Sequence, residues 1–310
     1  ADRHLQEVFG HSLAEHDRHL LEESRRKGRR TVLLAGRPYH TDMLIQHKIS
    51  DILAEMGIDV ITDDIVRDQA TQVEGDVHFL PQWSYPNRIL KAAQWCAAQG
   101  SDVQFVEMTS FGCGPDAFLV DEVRDILIRS GKPFTLLKLD DINNVGSMKL
   151  RVRSLIESMK LSGERQVPPR KREEGGEAAS VSYHDLRTKK ILVPYFTPFI
   201  SPLIPAFMRL AGYDVDNLPL SNMDSCEWGL KYANNEVCYP ATLIVGDVVK
   251  AFKSGKYDPK QTIVAMTQTG GQCRASNYIS LIKKALEEAG YPSVPVISLT
   301  FGSSLDSRQP

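Results

Sequence analysis

Past its first thirty residues the chain alternates between two hydrophobic rhythms. Short runs rich in Val, Ile, Leu and Phe give way to longer stretches whose apolar positions lie three and four apart. Strands are predicted at 31–35, 59–62, 103–108 and 134–139, with helices at 43–56, 88–99, 116–130 and 145–161. Gly57 is expected to stop the first of these helices, because glycine takes the left-handed conformation that closes a helix end. Strands and helices in alternation, joined by short connections, give a parallel sheet covered by helices: a doubly wound α/β domain.

The second half repeats that order. Strands are predicted at 190–194, 213–216, 261–267 and 294–299, and helices at 203–211, 240–254 and 274–289. The expected fold class is therefore α/β, with two similar Rossmann-like, doubly wound domains related by an internal repeat. Residues 1–30 read as a leading charged helix with Leu5, Phe9, Leu13, His16 and Leu20 along one stripe. The expected domains are 31–161 and 186–300. Between them lies a linker, 162–185, holding Pro168-Pro169, a run of charges and Gly175-Gly176. The end, 301–310, trails off after a strand, and the chain starts without Met. Both features fit a segment excised from a longer polypeptide.

Composition narrows the function classes. At 310 residues the chain exceeds one ordinary core. A net charge of −2 leaves no basic surplus to neutralise phosphates, which argues against a dedicated nucleic-acid binder. No apolar run approaches the roughly 20 residues of a membrane span, and the polar start lacks a secretory signal, so a cytoplasmic setting is expected. Five cysteines in a chain this long do not make a disulfide framework. Four histidines (His4, His11, His16, His19) lie in the leading helix without companion ligands and are expected to be solvated.

Three of the cysteines occupy similar settings, each in a glycine- or proline-marked turn ahead of a predicted helix. They read Ser110-Phe-Gly-Cys113-Gly-Pro-Asp116, Asn235-Glu-Val-Cys238-Tyr-Pro-Ala241 and Thr269-Gly-Gly-Gln-Cys273-Arg-Ala-Ser276. A helix start offers unpaired N–H groups and a positive dipole end, which favour thiolate over thiol. Thiolates gathered in this way are the ligands an iron–sulfur cluster takes. In the repeat, Cys113 corresponds to Cys273 and Ser84 to Cys238, giving four equivalent slots of which three hold Cys. All lie at the carboxyl ends of predicted strands, where doubly wound sheets bind ligands. If the domains face one another, the three thiolates would suit a [4Fe–4S] cluster with one iron left open. Gly112, Gly114, Gly270 and Gly271 would let backbone N–H groups approach such an anion. Cys96, in mid-helix, reads as packing, and Cys226 reads equally as a spare ligand or a bystander.

Other candidates share the loop edge. Arg37, Tyr39 and His40 follow the first strand, and His40 is the one acid–base imidazole expected there. Trp83, Ser84, Tyr85, Asn87 and Arg88 form a polar, aromatic cluster. Glu236, Arg274, Ser276 and Asn277 flank the later cysteines, with Arg274 and Asn277 candidates for contact with a cofactor. The stretch 112–117 also matches the G-x-G-x-x-A dinucleotide fingerprint. It follows a late strand, though, and its repeat partner lacks the glycine spacing.

Five motifs together resemble one family. They are Leu34-Ala-Gly-Arg-Pro-Tyr-His-Thr-Asp42, Trp83-Ser-Tyr-Pro-Asn-Arg88, the Cys113 turn, Asn234-Asn-Glu-Val-Cys-Tyr-Pro-Ala241 and Gly270-Gly-Gln-Cys-Arg-Ala-Ser-Asn-Tyr278. The chain is similar in these to the 2-hydroxyacyl-CoA dehydratase and double-cubane-cluster protein superfamily. It most resembles the middle region of fused acyl-CoA dehydratase activases, over about 31–299. The resemblance implies paired Rossmann-like domains that hold an iron–sulfur cluster through Cys113, Cys238 and Cys273. It implies electrons delivered by an ATP-hydrolysing iron–sulfur activator, within a homodimer or a larger multidomain chain, and an acyl-CoA or other small molecule as substrate. The activator's nucleotide motif is absent, and three thiolates fit one cubane, or a share of a larger cluster in a dimer, better than a double cubane held by this chain alone. A non-catalytic docking or scaffold role is the alternative.

Overall fold

The computed structural model of the chain describes residues 2–42, 44–69, 73, 83–110, 115–139, 145–162, 181–267 and 277–299. Its first half runs α1 (Asp2–Arg26), β1 (Arg30–Ala35), a 3-10 turn (Pro38–Thr41), α2 (Ile49–Glu55), β2 (Ile58–Thr62) and a second 3-10 turn (Asp63–Val66). It continues through α3 (Ser84–Ala97), β3 (Val103–Thr109), α4 (Pro115–Arg129), β4 (Thr135–Lys138) and α5 (Val145–Ser162). The strands make one all-parallel sheet in the order β2-β1-β3-β4. The second half comprises α6 (Tyr183–Thr188), β5 (Lys190–Val193), α7 (Leu203–Leu210), β6 (Val215–Asn217), α8 (Met223–Tyr232) and α9 (Tyr239–Lys253). After a 3-10 turn (Pro259–Gln261) come β7 (Thr262–Thr267), α10 (Tyr278–Glu288) and β8 (Val296–Leu299). Its sheet is again all parallel, in the order β6-β5-β7-β8. The same strand order and direction in each half make this the α/β repeat that the sequence pattern predicts.

The chain divides into two compact units. One is made of Ala1–Val77, Pro81–Gly112 and Leu119–Lys171, the other of His78–Leu80, Cys113–Phe118 and Arg172–Pro310. In the first, all seven residues of β3 are buried, as a central parallel strand requires. One face of its sheet carries Val32, Leu34, Val106 and Met108, packed against Leu53 of α2 and Leu155 of α5. Each such side chain stabilises the fold by about 1.5–3 kcal/mol. In the second unit Ile191, Val193, Val215 and Ala265 form the corresponding core, with Ile204 and Met208 of α7 laid over it.

Several elements depart from the sequence reading. The inward face of α1 is not the expected leucine stripe: Gly10, Ala14, Asp17, Leu21 and Ser24 are buried, while Phe9 is 64% exposed and His16 lies outside. Small side chains let this helix approach closely, and the polar ones are matched. Asp17 accepts from the Thr62 N–H at 3.0 Å and its hydroxyl at 2.9 Å, and Ser24 bonds Thr31 at 3.0 Å. Helix α2 starts at Ile49 rather than residue 43. The Asp42 carboxylate captures the N–H groups of Leu44 and Ile45, and His47 and Lys48 take left-handed conformations that helix cannot pass through. Helix α3 starts at Ser84 rather than 88. Helices α6 and α8 are additions; both are short and capped, α6 by Ser182 with Asp185 and α8 by Asn222 with Ser225. Neither has the long apolar period that a sequence pattern reveals.

Helices α8 and α9 pack with their backbones nearly touching. A Cβ on Gly229 would run into the Thr242 carbonyl, and one on Gly246 into the Ser225 carbonyl. Neither obstacle is the movable end of a side chain. Gly246→Ala is therefore expected to lower unfolding stability by about 3 kcal/mol in denaturant titrations. At Gly255, where φ is +71° in open space, alanine should cost only about 1 kcal/mol.

Candidate functional site

In each sheet the strands end at one edge, and the order β2-β1-β3-β4 sends the connections from β1 and β3 in opposite directions. The gap between those two strand ends is where such sheets take ligands. In the first unit it holds His40, on the turn after β1, and Ser110, just past β3. His40 is fully buried. Its Nδ1 accepts the Arg37 backbone N–H at 3.0 Å, and its Nε2 lies 2.8 Å from the Ser110 Oγ. A nitrogen that accepts an N–H carries no proton, so the proton sits on Nε2 and is donated to Ser110. In that tautomer the imidazole is no base toward Ser110, and the pair is a clamp between two loops rather than a nucleophile and its base. Gly36 makes room for it, since a Cβ there would stand 2.6 Å from Nδ1.

At the end of β2 the Trp83–Arg88 cluster is used differently. Arg88 Nε donates to Asp63 at 2.5 Å and its Nη1 lies 3.3 Å from Asp64, with the Tyr85 ring 5.3 Å from the guanidinium. The pair anchors the first turn of α3 to β2. Burial pushes the Asp63 carboxyl up to about 6, against the pull of Arg88. Burial also works to lower Arg88, but the charges of Asp63 and Asp64 outweigh it and raise it. Ser84 is exposed in this first turn.

In the second unit three segments meet around Cys238. It is the N-cap of α9, half-buried, and its sulfur makes no capping bond. Its Sγ lies 3.3 Å from the hydroxyl of Tyr278, the first residue of α10. The Tyr278 ring packs on Phe118 in the first turn of α4, with centroids 6.3 Å apart. Asn234 ties the same parts together: its Oδ1 accepts the Glu236 N–H at 2.7 Å and its Nδ2 donates to the Ala117 carbonyl at 2.8 Å. Asn277, buried, stands at the N-cap of α10. Downstream neighbours of the Cys113 and Cys273 turns are thus gathered on Cys238. Cys113, Cys273, Gly112, Gly114, Gly270, Gly271, Arg274 and Ser276 themselves lie outside the described residues. Among the described residues no group of three or more His, Cys, Asp and Glu is set to hold a metal.

Cys96 is fully buried, its thiol pushed up to about 12 by burial and its Sγ 3.9 Å from the Val103 carbonyl; it packs, as expected. Cys226 is half-buried on α8, beside the hydroxyl of Tyr239, whose phenol it pushes up. The sequence reading missed Asn234, Asp63 and Tyr278 as working partners. Only Asn234 carried a signal, an Asx residue two positions ahead of the N–H it binds. A cleft of about 670 Å³ lies at the opposite edge of the first unit, among Arg29, Arg30, Arg153 and Lys160. Helix C-termini gather at that edge of a parallel sheet, and cations there complement their dipoles.

Residues 3–66, roughly a fifth of the chain, match a family model described as CoA enzyme activase uncharacterised domain. The match runs from α1 to the 3-10 turn after β2 and includes the motif around His40. It supports the activase side of the resemblance over that stretch. No curated protein and no solved structure gave a match. No helix among the described residues is long and apolar enough to cross a membrane.

Two predictions follow from the buried groups. Ring ¹⁵N spectra at neutral pH should show His40 as the Nε2–H tautomer, and Ser110→Ala should leave the Nδ1 bond in place. Asp63 holds a proton in the folded chain between about pH 4 and 6 where the unfolded chain has released it, so its contribution to stability falls as pH rises through that window. Wild type should lose ~2 kcal/mol more than Asp63→Asn between pH 4.5 and 7, measured by urea unfolding.

Proposed function

We propose that this chain is an iron–sulfur cluster-binding module of an acyl-CoA dehydratase activation system, taking electrons from an ATP-hydrolysing activator. The observation that carries the reading is the gathering of three loop ends on Cys238 by Asn234, Tyr278 and Phe118. The match of residues 3–66 to a family model named for CoA enzyme activases supports the system in which it would act. Cys238 suits a thiolate ligand: it is reachable, its sulfur is not spent on a cap, and it sits at the positive end of a fifteen-residue helix. Cys113 and Cys273 are the proposed companions, each with glycines close by in sequence, which leave room for backbone N–H groups to approach an anion. A bound [4Fe–4S] cluster would supply one-electron chemistry at low potential. The chain's part is to hold it, shield it and set its electron affinity. An acyl-CoA or other small molecule as the substrate of that system belongs to the same proposal.

A docking or scaffold role has one observation in its favour. Outward from α7 and the loop before it, Phe199, Leu203, Phe207 and Leu210 are between 53% and 86% exposed. Clustered exposed apolar side chains of this kind mark interaction sites.

The two readings part on metal content. After anaerobic purification and reconstitution, iron and acid-labile sulfide should appear in equal amounts with an EPR signal on reduction. Cys238→Ala should lose most of the iron and Cys96→Ala none. A chain that stays free of iron under these conditions rules out the cluster reading and leaves docking.

A further inference from the structure

We propose that the face formed by α7 and the loop before it is where two copies of this chain join, the α7 helices packing on one another across a two-fold axis. The inference names an occupant for the exposed stripe on which the docking reading above rests, and it stands whether or not the chain holds a cluster. The internal repeat shows what sets that face apart. Helices α2 and α7 each lead into a left-handed glycine, Gly57 with φ +75° and Gly212 with φ +81°. Each glycine stands three residues before the valine, Val60 or Val215, that pairs with β1 or β5. Counted back from the glycines, Ile49, Ile52 and Leu53 correspond to Ile204, Phe207 and Met208. The first three are buried, Ile49 and Leu53 in a core that includes Val152, Leu155 and Met159 of α5. Ile204 and Met208 are only partly buried, and Phe207 is 65% exposed. Among the described residues of the second unit no helix takes the place of α5; the short α6 adds Leu186 to that core.

The outward positions differ as well. Lys48 and Glu55 are exposed charges in the first unit, and their counterparts are Leu203 and Leu210. Single apolar side chains on a surface are ordinary, but a contiguous stripe standing where charges could stand marks an interface. Leu203, Phe207 and Leu210 are spaced by four and then three residues, the stripe by which helices pair. A second copy fits it best. From Tyr195 to Tyr213 the one charged residue is Arg209, which falls off the stripe around the helix. Two such stripes therefore meet without like-charge repulsion, and a two-fold axis closes the pair with the same patch covered on both copies. A lipid surface would need cations along the rim of the face. Phe196, Phe199 and Ile200 extend the stripe into the preceding loop. The six side chains leave roughly 700 Å² open, against ~800 Å² per partner in an interface of standard size.

In sedimentation velocity the chain should run as a dimer that dissociates on dilution. Leu210→Glu installs the residue that the first unit holds at the equivalent place, and Leu203→Lys does the same at the other end of the stripe. Each should weaken the dimer about tenfold or more. Far-UV circular dichroism should not change, since both side chains are exposed. Leu150→Glu, at an exposed site on α5, should leave the dimer intact. A chain that stays monomeric at every concentration overturns the proposal. So does a dimer that both charged variants leave intact, or association that continues past two copies. A monomer that co-sediments with phosphatidylglycerol vesicles would also overturn it and give the face to lipid. Iron content measured on the same samples separates the two readings. A dimer free of iron keeps this inference and removes the cluster reading; an iron-loaded monomer does the reverse.

Discussion

The structure depends on one geometric constraint: parallel strands can be joined only by crossovers that return to the starting edge. The helix that leads into each next strand then begins at one edge of the sheet and ends at the other, while α8 runs antiparallel to α9. Helix N-termini, with their free N–H groups, collect where the strands finish, and C-termini collect opposite. His40 and Ser110 in the first unit, and Cys238 and Tyr278 in the second, stand on the first kind of edge. The cationic cleft of Arg29, Arg30 and Arg153 stands on the second. Anionic chemistry and cationic compensation are separated by topology before any particular side chain is chosen.

Within that frame the two halves use equivalent places for different ends. The slot that holds Cys238 in the second unit holds Ser84 in the first, where the adjoining residues Tyr85 and Arg88 serve to pin α3 to β2 through Asp63. The connection after β1 is a tight turn closed by a buried imidazole. Its counterpart after β5 leaves Phe199 and Ile200 exposed, and its Ser201 Oγ accepts the N–H groups of Phe196 and Thr197. A repeat that keeps its strands while its loops diverge is what core packing allows, because a strand in a central position must pack on both faces and a loop need only satisfy its own backbone.

Buried polar groups carry much of the local definition. Asp17 on Thr62, Asp63 on Arg88 and His40 between Arg37 and Ser110, with the half-buried Asn234 between Glu236 and Ala117, each join parts distant in sequence or fix a turn. An apolar contact tolerates sliding; a paired buried polar group does not, since loss of its partner exposes the full cost of desolvation. All four lie at or beside the carboxyl ends of the strands, which gives the candidate site a stiffer surround than its loop-rich sequence suggests.

The sequence by itself determined the α/β class, the two-fold repeat and the strand positions, because apolar period and glycine stops are local properties that survive without knowledge of the partner. It also marked Cys96 as packing and the Cys238 turn as a helix start. It did not determine which face of α1 turns inward, since Gly10, Ala14 and Asp17 are buried for closeness of approach and not for hydrophobicity. Nor did it reveal α8, the tautomer of His40, or the meeting of Cys238 with a tyrosine forty residues away. Those were decided by tertiary structure, because each depends on a partner brought near by chain folding, and no residue carries a mark of the distant atom it will face.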